Sequence, residues 1–177
     1  EPADWRADPD LLRTLPAGPL RDWARAMHAM WLQLGREPSG DARRWPERTT
    51  LIPAARPFVV PGGRFREGYY WDSYWIVLGL LASGMRQTAH NIIANLLDCV
   101  ARHGYVPNGM RTYYSGRSQP PMLTQMVSAL LDDADDADLL STALPLLDQE
   151  YGWWMRHGGH SAVRMPEAGG GGVLNRY

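Results

Sequence analysis

Apolar residues recur every three or four positions between residues 20 and 34. They are Leu20, Trp23, Ala24, Met27, Met30, Trp31 and Leu34. This spacing predicts an amphipathic α-helix with one apolar stripe, which we expect to pack on the rest of the protein. Gly35 and Pro38 follow the last apolar position, and both residue types favour the end of a helix.

Four further helices are predicted along the chain. Residues 73–81 are strongly apolar and predict a buried helix. Residues 86–102 predict an amphipathic helix that ends at Gly104. Its inner face consists of Ala89, Ile92, Ile93, Leu96, Leu97 and Val100. A short helix is predicted over residues 121–131, with proline in its first turn, and a longer one from about residue 138 to residue 156.

Long polar segments separate these helices. Residues 1–18 predict an extended amino-terminal arm, and residues 38–63 and 104–121 predict loops rich in glycine and proline. The glycine run at residues 169–172 predicts a flexible turn. No segment shows the sustained alternation of a half-buried strand, so the predicted class is all-α. Long loops favour a toroid of paired helices with the loops along one rim. An extended bundle is the alternative, but its connections usually have about 2–8 residues.

Composition excludes several classes of function. The chain has 177 residues, and 18 basic residues nearly balance 19 acidic ones, which gives no electrostatic footprint for nucleic acid or for an anionic membrane. No apolar run approaches the roughly 20 residues of a membrane span. The single cysteine, Cys99, excludes an internal disulfide, and the five histidines lack the spacing of a metal site, so no metal or cofactor is predicted. The chain begins with Glu1 rather than Met, which indicates a processed or trimmed product, and we expect a periplasmic or secreted location.

Residues 61–75 carry the densest set of polar and aromatic side chains, in the sequence PGGRFREGYYWDSYW. Carboxylates accept hydrogen bonds from sugar hydroxyls, guanidinium groups donate to them, and indole rings stack on sugar C–H faces. Asp72 has a simpler interpretation as a helix cap. The simpler interpretation of Arg64 and Glu67 is a surface ion pair, which would contribute little stability. Neither simpler interpretation accounts for the whole cluster.

Residues 104–121, GYVPNGMRTYYSGRSQPP, form a second polar cluster. The Asn-Gly pair in this segment is a turn signal. The same loop also holds Asn108, Arg111, Tyr113, Tyr114, Arg117, Ser118 and Gln119. Amides and guanidinium groups in a loop between helices indicate a polar ligand with many hydroxyls.

Residues 61–74 resemble the first signature of the trehalases, the inverting glycoside hydrolases that split α,α-trehalose into two glucose molecules. The signature reads P-G-G-R-F-x-E-x-Y-x-W-D-x-Y, and every fixed position is matched. Residues 107–121 resemble a second trehalase loop. The segment 164–177 resembles the one that precedes the family's acidic and Arg-Pro-Glu-Ser stretch. The likeness runs from about residue 19 to the last residue.

The resemblance implies an (α/α)6 barrel of two helical rings, with residues 19–177 as its amino-terminal portion and a sugar site in a pocket at one end. It implies that Arg64, Trp71 and Asp72 contact the sugar, and that Phe65 and Tyr69 form the pocket wall. The second loop would add Asn108, Arg117, Ser118 and Gln119.

The resemblance also implies that the catalytic groups lie elsewhere. The family's second signature, its general acid Asp and its general base Glu all follow residue 177 in family order, so no catalytic residue is predicted in this chain. The implied partners are trehalose or glucose and the remaining carboxyl-terminal part of the barrel, in the same or a separate chain. We expect the 177-residue chain alone to be inactive. The alternatives are a truncated, non-catalytic carbohydrate-binding protein and a different (α/α)6 glycosidase.

Overall fold

The computed structural model describes residues 1–134, 136–156, 162–165 and 172–175, and this part of the chain is mostly helical. The α-helices are α1 (Asp10–Thr14), α2 (Pro19–Leu34), α3 (Gly40–Arg44), α4 (Tyr70–Ala82), α5 (Arg86–His103), α6 (Leu123–Asp133) and α7 (Ala137–Met155). The five predicted helices are therefore confirmed, with ends within a few residues of the prediction. Among the described residues, no helix has the length and apolar character that crossing a membrane requires.

Two short antiparallel strand pairs accompany the helices. Strand β1 (Gly35–Arg36) pairs with β2 (Phe58–Val59) directly after α2. Strand β3 (Ala162–Met165) pairs with β4 (Gly172–Asn175). The sequence pattern missed all four, because strands of two to four residues are too short to show an alternation. Of the glycines predicted to form a turn, Gly172 begins β4, and residues 169–171 lie outside the described residues.

The core is built around α5, which packs against α4, α6 and α7. Every predicted inner-face residue of α5 is buried. Val77 and Leu80 of α4 and Met126 and Leu130 of α6 complete the centre and are fully buried. Gly104 ends α5 in a left-handed conformation with φ 84°, and its N–H donates to the Val100 carbonyl oxygen at 2.7 Å, as predicted for a glycine at this position.

The amino-terminal segment is more ordered than the extended arm predicted for residues 1–18. It contains α1, whose Leu12 is buried. Asp4 accepts a hydrogen bond from the Thr88 backbone N–H at 2.9 Å, which satisfies one of the unpaired donors in the first turn of α5. The Trp5 ring stacks on the ring of His28 at 5.4 Å between centroids. These contacts hold the segment against α2 and α5.

The apolar stripe of α2 lies mostly at the surface of the described part of the chain. Leu20, Trp23, Met27 and Met30 are exposed, with 62% of Trp23 accessible to solvent. Trp31 and Leu34 are partly buried against the core, and the buried residue of this helix is His28. The pattern identified the stripe, but the described residues that pack on α2 cover only its carboxyl-terminal end.

A buried tyrosine–carboxyl pair joins α4 to α7. The Tyr70 hydroxyl donates to Glu150 Oε2 at 2.9 Å and accepts from the Leu123 backbone N–H at 3.1 Å. Glu150 Oε1 is buried and has no hydrogen-bond partner among the described residues. Burial raises the pKa of Glu150 to about 7, and the hydrogen bond from Tyr70 opposes the shift.

Glu150→Gln is expected to make a full-length protein carrying this chain more stable at pH 8 and not at pH 4.5. Because the folded-state pKa lies above the ordinary 4.5, the wild-type carboxyl contributes full stability below pH 4.5 and loses it as pH rises through about 7. The neutral amide avoids this loss, so we expect a gain of about 1–3 kcal/mol at pH 8. Thermal unfolding at both pH values measures it. An equal change at the two pH values would contradict the assignment.

Candidate functional site

A tight turn at residues 62–65 presents the first two predicted sugar contacts. The Phe65 N–H donates to the Gly62 carbonyl oxygen at 3.0 Å, and the Gly62 N–H donates back to the Phe65 carbonyl oxygen at 3.3 Å. Gly62 has φ 103°, and a Cβ there would lie 2.9 Å from a methyl carbon of Leu34, so the turn requires glycine. Arg64 and Phe65 are exposed on this turn, and the guanidinium carbon lies 5.0 Å from the ring centroid.

Backbone hydrogen bonds join the two predicted sugar-binding loops. The Met110 N–H donates to the Gly68 carbonyl oxygen at 2.9 Å, and the Tyr70 N–H donates to the Asn108 carbonyl oxygen at 3.3 Å. Gly109 lies between these bonds, opposite Tyr69. A Cβ on Gly109 would lie 2.9 Å from the ring of Tyr114 and 3.1 Å from that of Tyr69, so two aromatic rings fit here only against glycine.

A third segment pairs with the far side of the second loop. The Ile52 N–H donates to the Met110 carbonyl oxygen at 3.1 Å, and the Thr112 N–H donates to the Thr50 carbonyl oxygen at 2.8 Å. We call the three paired segments, residues 49–52, 61–69 and 108–114, the loop rim. They come from the long glycine- and proline-rich stretches of the sequence and lie side by side.

Helix α4 begins beside the loop rim and carries Trp71 and Asp72 in its first turn. The Trp71 N–H, which has no partner within the helix, donates to Gln119 Oε1 at 3.0 Å. The residue before the helix is Tyr69, so the interpretation of Asp72 as a helix cap is wrong. Asp72 is half-buried, and no hydrogen bond or ion pair joins its carboxylate to another described residue. The indole of Trp71 is exposed.

The predicted contacts of the second loop fall into two groups. Some form hydrogen bonds within the protein, and others have no hydrogen-bond partner among the described residues. The buried Ser118 hydroxyl donates to the Val106 carbonyl oxygen at 2.6 Å, and the Asn108 N–H donates to the Arg117 carbonyl oxygen at 2.9 Å. The Arg117 guanidinium lies 5.2 Å from the Tyr114 ring centroid. Within the described part of the chain, the side-chain amide of Asn108 has no hydrogen-bond partner. Ser118 therefore holds the loop in place, as Gln119 does.

Four of the predicted contacts carry a charged or amide group that no other described side chain or carbonyl group engages by a hydrogen bond. They are Arg64, Asp72, Asn108 and Arg117. The two cations, the carboxylate and the amide lie on two adjacent loops and the first turn of α4, and they present donors and acceptors to a ligand rich in hydroxyls. The exposed rings of Phe65 and Trp71 add apolar faces on which a sugar ring stacks.

A buried charged network lies between the loops, and sequence reasoning missed it. Glu67 is only 7% exposed. Its Oε1 accepts from the Tyr69 hydroxyl at 2.9 Å, and its Oε2 lies 3.5 Å from Nη2 of Arg111. The simpler interpretation of Glu67 and Arg64 as a surface ion pair is therefore wrong. The only local signal was the placement of Glu67 within the motif, because its partner Arg111 lies 44 positions further along the chain.

The Tyr69 phenol stays protonated in this network. Burial, a hydrogen bond with the Tyr114 hydroxyl at 3.0 Å and a hydrogen bond to Glu67 all raise the pKa of Tyr69 above its ordinary value of 10. The Tyr69 hydroxyl therefore acts as the donor to the Glu67 carboxylate at neutral pH.

Comparison with known proteins identifies the family. The family model described as trehalase matches residues 1–177. The chain belongs to the trehalase family. It is 42% identical to trehalase of Arabidopsis thaliana over 178 residues, covering all of this chain and 28% of that protein. It is 42% identical to trehalase of Homo sapiens and 43% identical to that of Dictyostelium discoideum, covering 99% of this chain and 30% of each relative.

A solved trehalase supports the fold. Neutral trehalase Nth1 from Saccharomyces cerevisiae has a TM-score of 0.53 and 36% sequence identity, covering 56% of this chain and 20% of that one. It is an (α/α)6 barrel, so the helices described here correspond to part of such a barrel. The trehalase-family chain spans less than a third of the length of the curated relatives it matches. The match to trehalase settles the question left open between this family and another glycosidase family with the same barrel.

Proposed function

We propose that residues 1–177 supply the sugar-binding loops of an α,α-trehalase, which hydrolyses α,α-trehalose to two glucose molecules with inversion. The observation that carries the proposal is that Arg64 and Asp72 make no hydrogen bond with the described residues, within the same signature segment that exposes the indole of Trp71. A carboxylate, a guanidinium and an indole together match the acceptors, donors and C–H faces of a glucose ring.

In this proposal, the loops of residues 1–177 bind and orient one glucose ring. Arg64 donates to hydroxyl oxygens, Asp72 accepts from hydroxyl groups, and Phe65, Tyr69 and Trp71 supply the aromatic wall. Asn108 and Arg117 contact the sugar from the second loop, while Ser118 and Gln119 hold the backbone that carries them. Binding energy from contacts remote from the scissile bond then lowers the barrier by fixing the reacting geometry.

The catalytic acid and base are proposed to belong to the remaining part of the barrel. In an inverting glycosidase, one carboxylic acid protonates the leaving oxygen, and a carboxylate about 6.5–9.5 Å away activates a water molecule on the opposite face of the ring. Water then attacks one anomeric carbon and inverts it, while the other glucose leaves with its configuration unchanged.

The stereochemistry of the products tests the proposal. A full-length protein carrying residues 1–177 is incubated with α,α-trehalose and followed by proton NMR before mutarotation. We expect equal initial amounts of α- and β-glucose, because only the attacked carbon inverts. Absence of hydrolysis by the full-length protein would refute the proposed activity, and two α-glucose molecules would refute inversion.

A non-catalytic carbohydrate-binding protein is the second candidate function. Its support is that the groups proposed here to contact the sugar, Arg64, Asp72, Asn108 and Arg117, account for binding alone. The test uses the complete product of the gene that encodes residues 1–177. Binding of trehalose by this protein without hydrolysis would favour the second candidate. Turnover by that protein would favour the enzyme.

The proposed trehalase is expected to keep its activity in the presence of EDTA. Hydrolysis by two carboxylates places proton transfer on protein side chains and needs no Lewis acid. Initial rates on trehalose are measured before and after dialysis against EDTA. Loss of activity that a divalent cation restores would contradict this expectation.

We also propose a periplasmic or secreted location. The single cysteine, Cys99, is buried, and burial raises the pKa of its thiol to about 12, so an oxidising compartment would not modify it readily. Fractionation of the source cells with trehalase assays of each fraction tests this location.

A further inference from the structure

We propose that Glu67 is a positioning residue for sugar binding, through a network around its buried carboxylate that holds the three segments of the loop rim together; this inference rests on the proposed trehalase function. Glu67 belongs to the segment at residues 61–69, and its carboxylate receives Tyr69 on one oxygen and Arg111 on the other. Arg111 Nη1 continues to Thr50 Oγ1 at 2.9 Å, and the Tyr69 hydroxyl meets that of Tyr114 at 3.0 Å. One carboxylate thus connects all three segments.

The network reaches the predicted sugar contacts through ring packing. The Tyr69 ring stands perpendicular to the Phe65 ring at 5.4 Å between centroids. The Arg64 guanidinium in turn lies over the Phe65 ring. Tyr69 also directly precedes α4, whose first turn carries Trp71 and Asp72. A shift of Tyr69 therefore moves both groups of contacts.

The electrostatics make Glu67 difficult to replace. Arg111 Nε is buried without a hydrogen-bond partner among the described residues, so this guanidinium depends on Glu67 and Thr50. In Glu67→Gln, the single amide oxygen can accept from Tyr69 or face Arg111, but it cannot do both. In either orientation the Arg111 cation loses its counter-charge.

The experiment measures kinetics in the full-length trehalase carrying Glu67→Gln. We expect KM for trehalose to rise by roughly 10- to 100-fold, the effect of a displaced Arg64 or Asp72 losing its charged hydrogen bond to the sugar, with a smaller change in kcat. A merely structural role would reduce the amount of active enzyme and leave KM unchanged. Glu47→Gln is the matched control, because Glu47 is exposed and its one ion pair among the described residues is with Arg48, at 3.7 Å, so both constants should stay unchanged.

A second variant keeps the test decisive if Glu67→Gln folds poorly. Glu67→Gln combined with Arg111→Gln removes both charges and leaves no unpaired cation at this site, yet it still uncouples the loops, so KM should remain high. Hydrogen exchange provides a readout besides activity: the amide groups of Met110 and Thr112, which join the segments, should lose protection in both variants and not in Glu47→Gln.

The possible outcomes separate the two proposals. A KM within twofold of wild type in a folded variant, with unchanged amide protection, overturns the role of Glu67 and leaves the trehalase proposal intact. Failure of the wild-type protein to cleave trehalose overturns the proposed function and with it the role of Glu67 in binding trehalose. Hydrogen exchange then decides separately whether Glu67 orders the loop rim.

Discussion

Residues 1–177 produced alone are expected to aggregate or to form a loosely packed state, and to hydrolyse no trehalose. The reason is the exposed apolar surface of α2, where Leu20, Trp23, Met27 and Met30 face solvent. Helix α7 adds exposed apolar side chains at Leu140, Leu144 and Tyr151. Stable monomers rarely expose contiguous apolar patches larger than a few hundred Å².

The free energy associated with the uncovered apolar surface is large enough to decide whether the isolated chain folds. Covering apolar surface contributes roughly 25 cal/mol per Å², so about 400 Å² corresponds to about 10 kcal/mol. A domain's whole stability is about 5–15 kcal/mol. Without the helices that would cover this surface, the isolated chain therefore loses a free energy of burial comparable to the whole stability of a domain.

Solubility, circular dichroism and thermal unfolding of the isolated chain provide the measurement. Co-expression with the remaining part of the barrel should restore a soluble, cooperatively folding protein that hydrolyses trehalose. Trp23→Gln with Met27→Gln should reduce aggregation of the isolated chain, whereas Asp22→Asn on an exposed polar position of the same helix should not. A soluble monomer of residues 1–177 with a sharp thermal transition would contradict the expectation.

Local periodicity was sufficient to predict the five longer helices, because each of them buries or exposes a stripe that its own spacing defines; the five-residue helices α1 and α3 are too short to show one. The inner face of α5 was predicted residue by residue and is buried. The stripe of α2 was predicted equally well and is exposed in residues 1–177, which is the exposure expected of one portion of a larger barrel. The start of α4 was predicted three residues late, since the aromatic Tyr70 and Trp71 and the acidic Asp72 do not continue the apolar run that follows them.

The candidate site also shows what a local motif can predict and what it cannot. The motif led to Arg64, Trp71 and Asp72, and the structure leaves the polar ends of Arg64 and Asp72 unengaged by hydrogen bonds among the described residues. The motif said nothing of which side chains hold the loops. The contacts of Glu67 with Arg111 and of Gln119 with the Trp71 N–H join residues more than 40 positions apart, so no local pattern encodes them.

Arg64→Ala and Asp72→Ala in the full-length trehalase are each expected to lower kcat/KM for trehalose by roughly 10- to 100-fold or more while the fold survives. Each substitution removes a charged partner of sugar hydroxyls, and such a hydrogen bond contributes about 1.5–3 kcal/mol. Neither side chain supports the described structure through a hydrogen bond, so thermal stability should change little.

Two matched controls isolate ligand binding from other effects of these substitutions. Arg66→Ala removes an exposed cation from the same loop, two positions beyond Arg64. Asp41→Ala removes an exposed acidic residue from the first turn of α3, so it reproduces the loss of a favourable helix-dipole interaction that Asp72→Ala also causes. Both controls should keep kcat/KM within a few-fold of wild type. Wild-type kinetics in a folded Arg64→Ala or Asp72→Ala protein would remove that residue from the sugar site. A side chain that hydrogen-bonds a substrate hydroxyl also stabilises the transition state through that bond, so its deletion must lower kcat/KM.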